Sequence, residues 1–253
     1  MALIEQLCAS YDEALPLCGG GYEDDDISLV VAKKTEAIIP LLGRFLLDTD
    51  PVTVSLLAVL SAARQASPVR VLDVGGGCGY HYFVAKALLP DIPLKWHVAE
   101  TAAMSAQGKT RFANDDLGFF ASVDEALAAF GGGIDLLHTS STIQYVPDPE
   151  GFADRVTEIA APHVMVARFP LFEGPRTVAV QASRLGDNGP GPAPEGTPDR
   201  IIRYPITFCN KDELAGRLMR GYRLAGQFAS PSANYRIGDS EVTGASFLLR
   251  RES

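Results

Sequence analysis

The stretch Val71 to Phe83, VLDVGGGCGYHYF, places four glycines in five positions directly after an apolar run, then turns at once to aromatics and His81. Glycine turns tightly and lets backbone approach a neighbour closely. VRVLDV followed by Gly75, Gly76, Gly77 and Gly79, and then by GYHYFVAKALL, therefore reads as strand, tight loop and helix. The same alternation continues through the strands LKWHVAE and LGFF and the helix SVDEALAAF, whose Ser122 and Glu125 have capping-box spacing. It goes on through the strand IDLLHT, the helix PEGFADRVTEIAA and the strand HVMVARF, and resumes later with the helix KDELAGRLM and the strands YRLAGQF and GASFLLR. Strands and helices taking turns imply βαβ units, so the expected class is α/β, doubly wound around a mostly parallel sheet.

Two regions depart from that rhythm. From about Ile27 to Gln65 apolar residues recur at three- and four-residue spacing, with Pro40 and Pro51 expected to kink or start helices. The acids at 24–26 suit a solvated helix start better than a metal site. Residues 1–66 are expected to form a helical segment covering the active site, and residues 67–253 the catalytic domain, interrupted by an insertion at about 170–208. RLGDNGPGPAPEGTPDR within it is Gly/Pro-rich and longer than an ordinary connection, so 184–200 is read as a mobile lid.

The formal charge of −9 argues against a nucleic-acid partner, whose phosphates need neutralising. Cys8, Cys18, Cys78 and Cys209 lie far apart without zinc spacing, so no metal is expected and a reduced cytoplasm is the natural setting. The N-terminus lacks a signal-peptide pattern and no run approaches the ~18 apolar residues of a membrane span. A soluble protein with a small-molecule partner and no membrane partner is expected; a homodimer is compatible with the sequence, which does not specify an oligomeric state.

In an open α/β sheet the ligand sits beyond the carboxyl ends of the strands. Here Gly75, Gly77 and Gly79 alternate behind Asp73 as D-x-G-x-G-x-G, whereas a dinucleotide loop asks for G-x-G-x-x-G. The pattern resembles Rossmann-like S-adenosylmethionine-dependent methyltransferases. VLDVGGGCGYHYF, WHVAE, SSTIQYVPDP, ARFP and YPITF follow in order, with Gly21-Tyr22 near the front. Together they resemble a bacterial methyltransferase family showing V-L-D-F-G-G, W-x-V-V-E, S-S-x-L-Q-Y-L and R-T-P at those places. Val74, Ala99 and Phe169 depart from it, and the similarity runs from about residue 20 to 228. The resemblance implies a seven-stranded methyltransferase sheet with S-adenosylmethionine as cofactor. Asp73, Gly75, Gly76, Gly77 and Gly79 would cradle its amino-acid moiety, Glu100 would accept the ribose hydroxyls, and Phe120, Ser140 and Ser141 would complete that site. It also implies a small-molecule acceptor in specialised-metabolite or polysaccharide biosynthesis.

For the chemistry, His81 and His138 are candidate bases, and Arg168 and Arg203 candidate clamps for a carboxylate or phosphate. Tyr22, Tyr82, Gln144, Tyr145 and Tyr204 are candidate acceptor contacts. Several have a plainer alternative: Tyr82 in a helix core, His138 as a satisfied half-buried histidine, Ser140, Ser141, Gln144 and Tyr145 as caps of the next helix, the arginines paired with acids. His97 and His163 are read as structural, and Cys78 as packing rather than nucleophilic. Methyl transfer proceeds by in-line displacement and needs no covalent enzyme intermediate. Oxygen is the expected acceptor atom. The rivals are a cofactor-binding protein of the same fold with a non-methylating reaction, and a nicotinamide-dependent oxidoreductase that the glycine spacing disfavours.

Overall fold

A computed structural model describes residues 3–42, 49–238 and 240–252. In chain order the elements are β1 (Leu3–Cys8), α1 (Tyr11–Ala14), α2 (Asp25–Ile38), α3 (Thr49–Ala63), β2 (Val69–Val74), α4 (Tyr80–Leu88), β3 (Leu94–Ala99) and α5 (Ala102–Arg111). They continue with β4 (Leu117–Phe120), α6 (Val123–Phe130), β5 (Leu136–Ser140), α7 (Pro149–Ile159), β6 (His163–Leu171) and β7 (Thr177–Arg184). The last are β8 (Ile201–Phe208), α8 (Lys211–Leu218), β9 (Tyr222–Ala229), β10 (Tyr235–Ile237) and β11 (Ser240–Arg251).

The large sheet runs β9-β11-β6-β5-β2-β3-β4, with β10 added as a hairpin on the start of β11, so the described sheet has eight strands rather than the seven expected. The chain steps from β2 through β3 to β4 on one side and returns to place β5 and β6 on the other, all parallel. The order therefore reverses beside β2, and a crevice opens at the carboxyl ends of β2 and β5. β11 is antiparallel to both β6 and β9. Val71, Trp96 and Leu136 bury one face of this sheet, and Leu72, Leu137 and Val164 the other. No described helix is long and apolar enough to cross a membrane.

Local chemistry sets the helix starts. Ser122 accepts the Glu125 N–H while Glu125 accepts the Ala121 N–H, fixing α6. Asp24 caps α2 and Asn210 caps α8. The acids at 24–26 have a partner as well: Arg200 reaches Asp24 at 2.6 Å and Asp26 at 3.0 Å.

A second sheet, antiparallel and ordered β1-β7-β8, corrects two sequence expectations. The N-terminal segment is not wholly helical, because β1 pairs with β7. The insertion is not a loop throughout, because β7 and β8 are paired from Thr177↔Phe208 to Arg184↔Ile201. Val178 and Val180 pack against Ala14 and Cys18, while Ala179 packs with Ile206 and Phe208. Burial on both faces makes the pairing favourable and leaves the Gly/Pro-rich stretch as its connection. The first and the inserted segments thus build one layer; residues 43–48 of the former lie outside the described residues.

Helix α5, absent from the sequence reading, buries only Met104, Ser105 and Gly108. A Cβ on Gly108 would overlap the Phe119 ring. Ala is normally the better helix former by ~1 kcal/mol. At this position overpacking wins, and Gly108→Ala is expected to destabilise by ~1–3 kcal/mol in urea titrations.

Candidate active site

The glycine loop crosses the crevice end of β2. Gly75, Gly77 and Gly79 have φ of +72°, +58° and +81°, left-handed values that L-residues avoid. Gly76 is required for another reason: a Cβ there would collide with the Asp73 carboxylate. Gly77 directs its N–H to Glu100 Oε1 at 3.0 Å, and Thr101 donates to Glu100 Oε2 at 2.8 Å.

Beyond the loop lies a cavity of about 550 Å³. Gly75, Gly76, Gly77 and Glu100 line its floor, and Cys78 and Met104 meet along one side with their sulfurs 3.6 Å apart. Its roof combines Ile27, Val31, Thr35 and Ile38 of α2 with the 187–191 connection. That connection is fitted closely to the helix. A Cβ on Gly189 would come within 3.1 Å of Val31 Cα, and buried Lys34 donates to the Gly186 carbonyl at 2.8 Å. Burial pushes Glu100 above the ordinary carboxylate value against the downward pull of its two N–H donors, and pushes the Cys78 thiol up to about 12. A thiol so raised is no nucleophile at neutral pH.

Beneath the loop is a closed polar network. Asp73 is fully buried; one carboxylate oxygen faces His138 Nδ1 at 2.7 Å and the other accepts Trp96 Nε1–H at 3.1 Å. His138, also fully buried, meets Ser55 Oγ at 2.8 Å through Nε2. Burial alone would raise Asp73, but the charge and hydrogen bond of His138, followed by His81 and Trp96, hold it below the ordinary value. His81 lies between this network and the cavity, its ring 4.6 Å from that of His138 and its Nδ1 3.9 Å from Asp73 Oδ2, without a hydrogen-bond partner. Burial first, and then His138, bring its pKa down to about 3. It is a neutral imidazole and a weak base.

The far wall is built from β5, β6 and the second sheet. Arg168 and Ser141 hold left-handed φ of +54° and +57°, conformations costing ~1–3 kcal/mol each in non-glycine residues. Arg168 Nε donates to Ser140 Oγ at 3.0 Å, which steadies its side chain at the cavity edge. Tyr22 stacks on Tyr204 with centroids 4.4 Å apart, and Tyr145 meets both edge-on. Gln181 ties the group together, donating to the Tyr204 hydroxyl and accepting from that of Tyr145, each at 3.1 Å.

No protein-family model and no curated protein matches the chain. Solved structures do. The CcbJ methyltransferase from Streptomyces caelestis aligns with a TM-score of 0.50 at 14% identity, over 91% of this chain and 100% of that one. The N-terminal domain of EvdMO1, crystallised with SAH bound, gives 0.51 at 13%, over 88% and 96%. An S-adenosylmethionine-dependent methyltransferase from Clostridium acetobutylicum ATCC 824 gives 0.53 at 12%, over 87% and 99%. The fold is that of the S-adenosylmethionine-dependent methyltransferases.

Within this methyltransferase fold the sequence-derived residues separate clearly. Gly75, Gly76, Gly77, Glu100, Ser140, Ser141, His81, Arg168, Tyr22, Tyr145 and Tyr204 line the cavity. Asp73 does not; its carboxylate is committed to His138 and Trp96 beneath the loop. Gly79 starts α4 and faces Leu117 and Phe119. Phe120 lies against His97 and under Lys109, because its position on β4 carries it outward. Tyr82 belongs to the core beside Trp96, and Gln144 is buried, donating to Ser141 Oγ and the Arg168 carbonyl. His138 is no base at the site, since both ring nitrogens are occupied and no surface is exposed. Arg203 points away from Tyr204, as alternation along β8 demands, and pairs with Glu5 at 2.7 Å on the surface. His97 and His163 are remote from the cavity: His97 stacks on Phe130, and His163 lies at the other end of β6.

The sequence reading named neither Val31, Thr35 nor Met104 as site residues, and it placed Asp187–Gly191 only within the 184–200 lid, without saying which of them line the cavity. Their only signal was a helical period or a Gly/Pro composition, neither of which specifies what they face. Buried, neutral His81 has a thermodynamic consequence. Between its ordinary value of 6.5 and about 3 the unfolded chain binds a proton there that the folded chain refuses, so stability falls as pH drops through that window. The urea midpoint of the wild type is expected to fall more between pH 6.5 and about pH 4 than that of His81→Gln. Parallel curves would place His81 in contact with solvent.

Proposed function

We propose that the chain is an S-adenosylmethionine-dependent methyltransferase that esterifies a carboxylate oxygen of a small molecule. Glu100 carries the cofactor part of this reading. A carboxylate offers about four acceptor sites; two are taken by Gly77 and Thr101, and the remainder suit vicinal hydroxyls such as those of a ribose. Gly77 keeps the adjacent backbone bare, and Cys78 with Met104 gives an apolar, polarisable surface suited to a flat base. The alignment with a domain crystallised with SAH bound points the same way. When bound, the cofactor supplies an electrophilic methyl group on a sulfonium centre.

The acceptor follows from what faces the cavity. His81 is neutral but, at about 3, too weak a base to take a proton from a hydroxyl, and His138 is sealed off. A carboxylate is already ionised and needs no base. Arg168 would orient it through a planar fork that matches two oxygens, while the Tyr22, Tyr145 and Tyr204 wall packs against its apolar body. The roof of α2 and residues 187–191 would exclude water. Free thiols at Cys8, Cys18, Cys78 and Cys209 suit the cytoplasmic setting read from the sequence.

Glu100→Ala is expected to weaken S-adenosylhomocysteine binding by ~1.5–3 kcal/mol, about 10- to 150-fold, by calorimetry. Unchanged affinity would remove Glu100 from the cofactor site. On a panel of carboxylic acids, alcohols and amines, esters are the expected products. Arg168→Ala is expected to raise the acceptor KM by at least about tenfold, whereas His81→Ala changes kcat only slightly. A loss of ~100-fold or more in kcat for His81→Ala would instead make it the base for a hydroxyl acceptor. Tight cofactor binding with no transfer across the panel would favour the non-methylating reading.

A further inference from the structure

At the other end of the large sheet, where β6 and β9 begin and β11 ends, lies an open pocket of about 460 Å³ that the methyltransferase reading does not use. Strand register builds it. Arg250 of β11 stands opposite His163 of β6 on one side and opposite Arg223 of β9 on the other, so the three side chains share one face of the sheet in a row. Arg251 joins them; one of its Nη groups donates to the Ala160 carbonyl at 3.2 Å. Among the described residues, Glu252 is the only acid lining the pocket.

Two features of this row ask for an anion. Like charges directly opposite on paired strands destabilise a sheet, yet in a chain of net charge −9 no described ion pair includes Arg223 or Arg250. Second, His163 is 2% exposed and its Nε2 has no hydrogen-bond partner. A buried polar atom left unmatched costs ~1–3 kcal/mol. His163 Nδ1 lies 3.3 Å from the Asp135 carbonyl. A proton on Nδ1 can only be donated there, which leaves Nε2 as an acceptor. The charged groups around the ring are Asp135, whose carboxylate is committed to Arg70 at 3.2 Å, together with Arg223, Arg250, Arg251 and Glu252.

We infer that this pocket binds a phosphate group, as free phosphate or as a phosphomonoester. Arginine forks match its oxygens in pairs. A singly protonated phosphate also carries the one O–H donor that His163 Nε2 can accept. Sulfate carries no such proton at neutral pH, and neither does a carboxylate. The phosphate group therefore satisfies both the row of cations and the orphaned ring nitrogen, where another anion satisfies the cations alone.

The test is calorimetric titration of the full chain near pH 6.5 with inorganic phosphate, glycerol phosphate and sulfate, repeated on Arg250→Gln, Arg223→Gln and His163→Phe. Circular dichroism melts confirm that each variant is folded. Phosphate is expected to bind at least tenfold more tightly than sulfate, and either arginine substitution to weaken it at least tenfold. His163→Phe is expected to bring phosphate and sulfate within about twofold of each other. Glycerol phosphate binding as well as or better than inorganic phosphate assigns the site to a phosphorylated molecule, and binding of inorganic phosphate alone assigns it to the free ion. Equal weak binding of phosphate and sulfate in the wild type, or phosphate affinity indifferent to both folded arginine variants, overturns the inference.

Discussion

Asp73 puts a carboxylate in the middle of a sheet with no water to solvate it, and an isolated charge in such a place is prohibitively costly. It persists because three elements answer it: β2 carries it, β3 brings the Trp96 indole, and β5 brings His138 as its register partner. The same carboxylate fills the space where a side chain on residue 76 would go, so the loop above it is glycine by exclusion. That loop then turns the Gly77 N–H toward Glu100 at the end of β3. Strand pairing, loop conformation and cavity floor therefore depend on one buried charge. Because its partners come from both sides of the point where strand order reverses, it also pins the crevice in place.

The roof has a different origin. It combines a helix from near the N-terminus with a connection from the insertion, two regions about 150 residues apart that meet through Lys34 and the Gly186 carbonyl. Burial lowers the Lys34 pKa against the opposing pull of the nearby Asp187 carboxylate, and its ammonium donates to the Gly186 carbonyl. The second sheet underpins this layer and delivers Tyr204 to the cavity from β8, while β5 and the turn after it deliver Ser140, Ser141 and Tyr145. The floor of the cavity is thus made by the large sheet, and its far wall and roof mainly by the additions to that sheet.

The two adjacent imidazoles divide unlike roles between them. His138 is part of the scaffold, with a carboxylate on one nitrogen and a hydroxyl on the other. His81 is near enough to feel that network but too far from Asp73, at 3.9 Å, to gain a good hydrogen bond from it. Burial therefore governs His81 and keeps it neutral. The cavity is left with one arginine, two strained backbone positions at Ser141 and Arg168, and an aromatic wall. On the proposed reading, such a set holds an anionic nucleophile rather than generating one.

Local chemistry made much of this legible in the chain itself. The βα alternation from Val69 onward, the Ser122 cap, the glycine loop and Glu100 at the end of β3 depend on neighbours a few residues away, and the structure places them as that pattern requires. Other assignments turned on direction. Strand alternation sends Tyr204 inward and Arg203 outward, and whether β8 exists at all depends on pairing with β7, which a Gly/Pro-rich connection obscures. His81 and His138 look equivalent as residues near strand and helix ends; only packing seals one and exposes the other to the cavity. The sequence alone therefore determined the parallel α/β core and the glycine loop at the cavity floor, since short-range periodicity and backbone freedom suffice for both. Tertiary structure decided which side chains face the cavity and what covers them, because those depend on contacts between segments far apart in the chain.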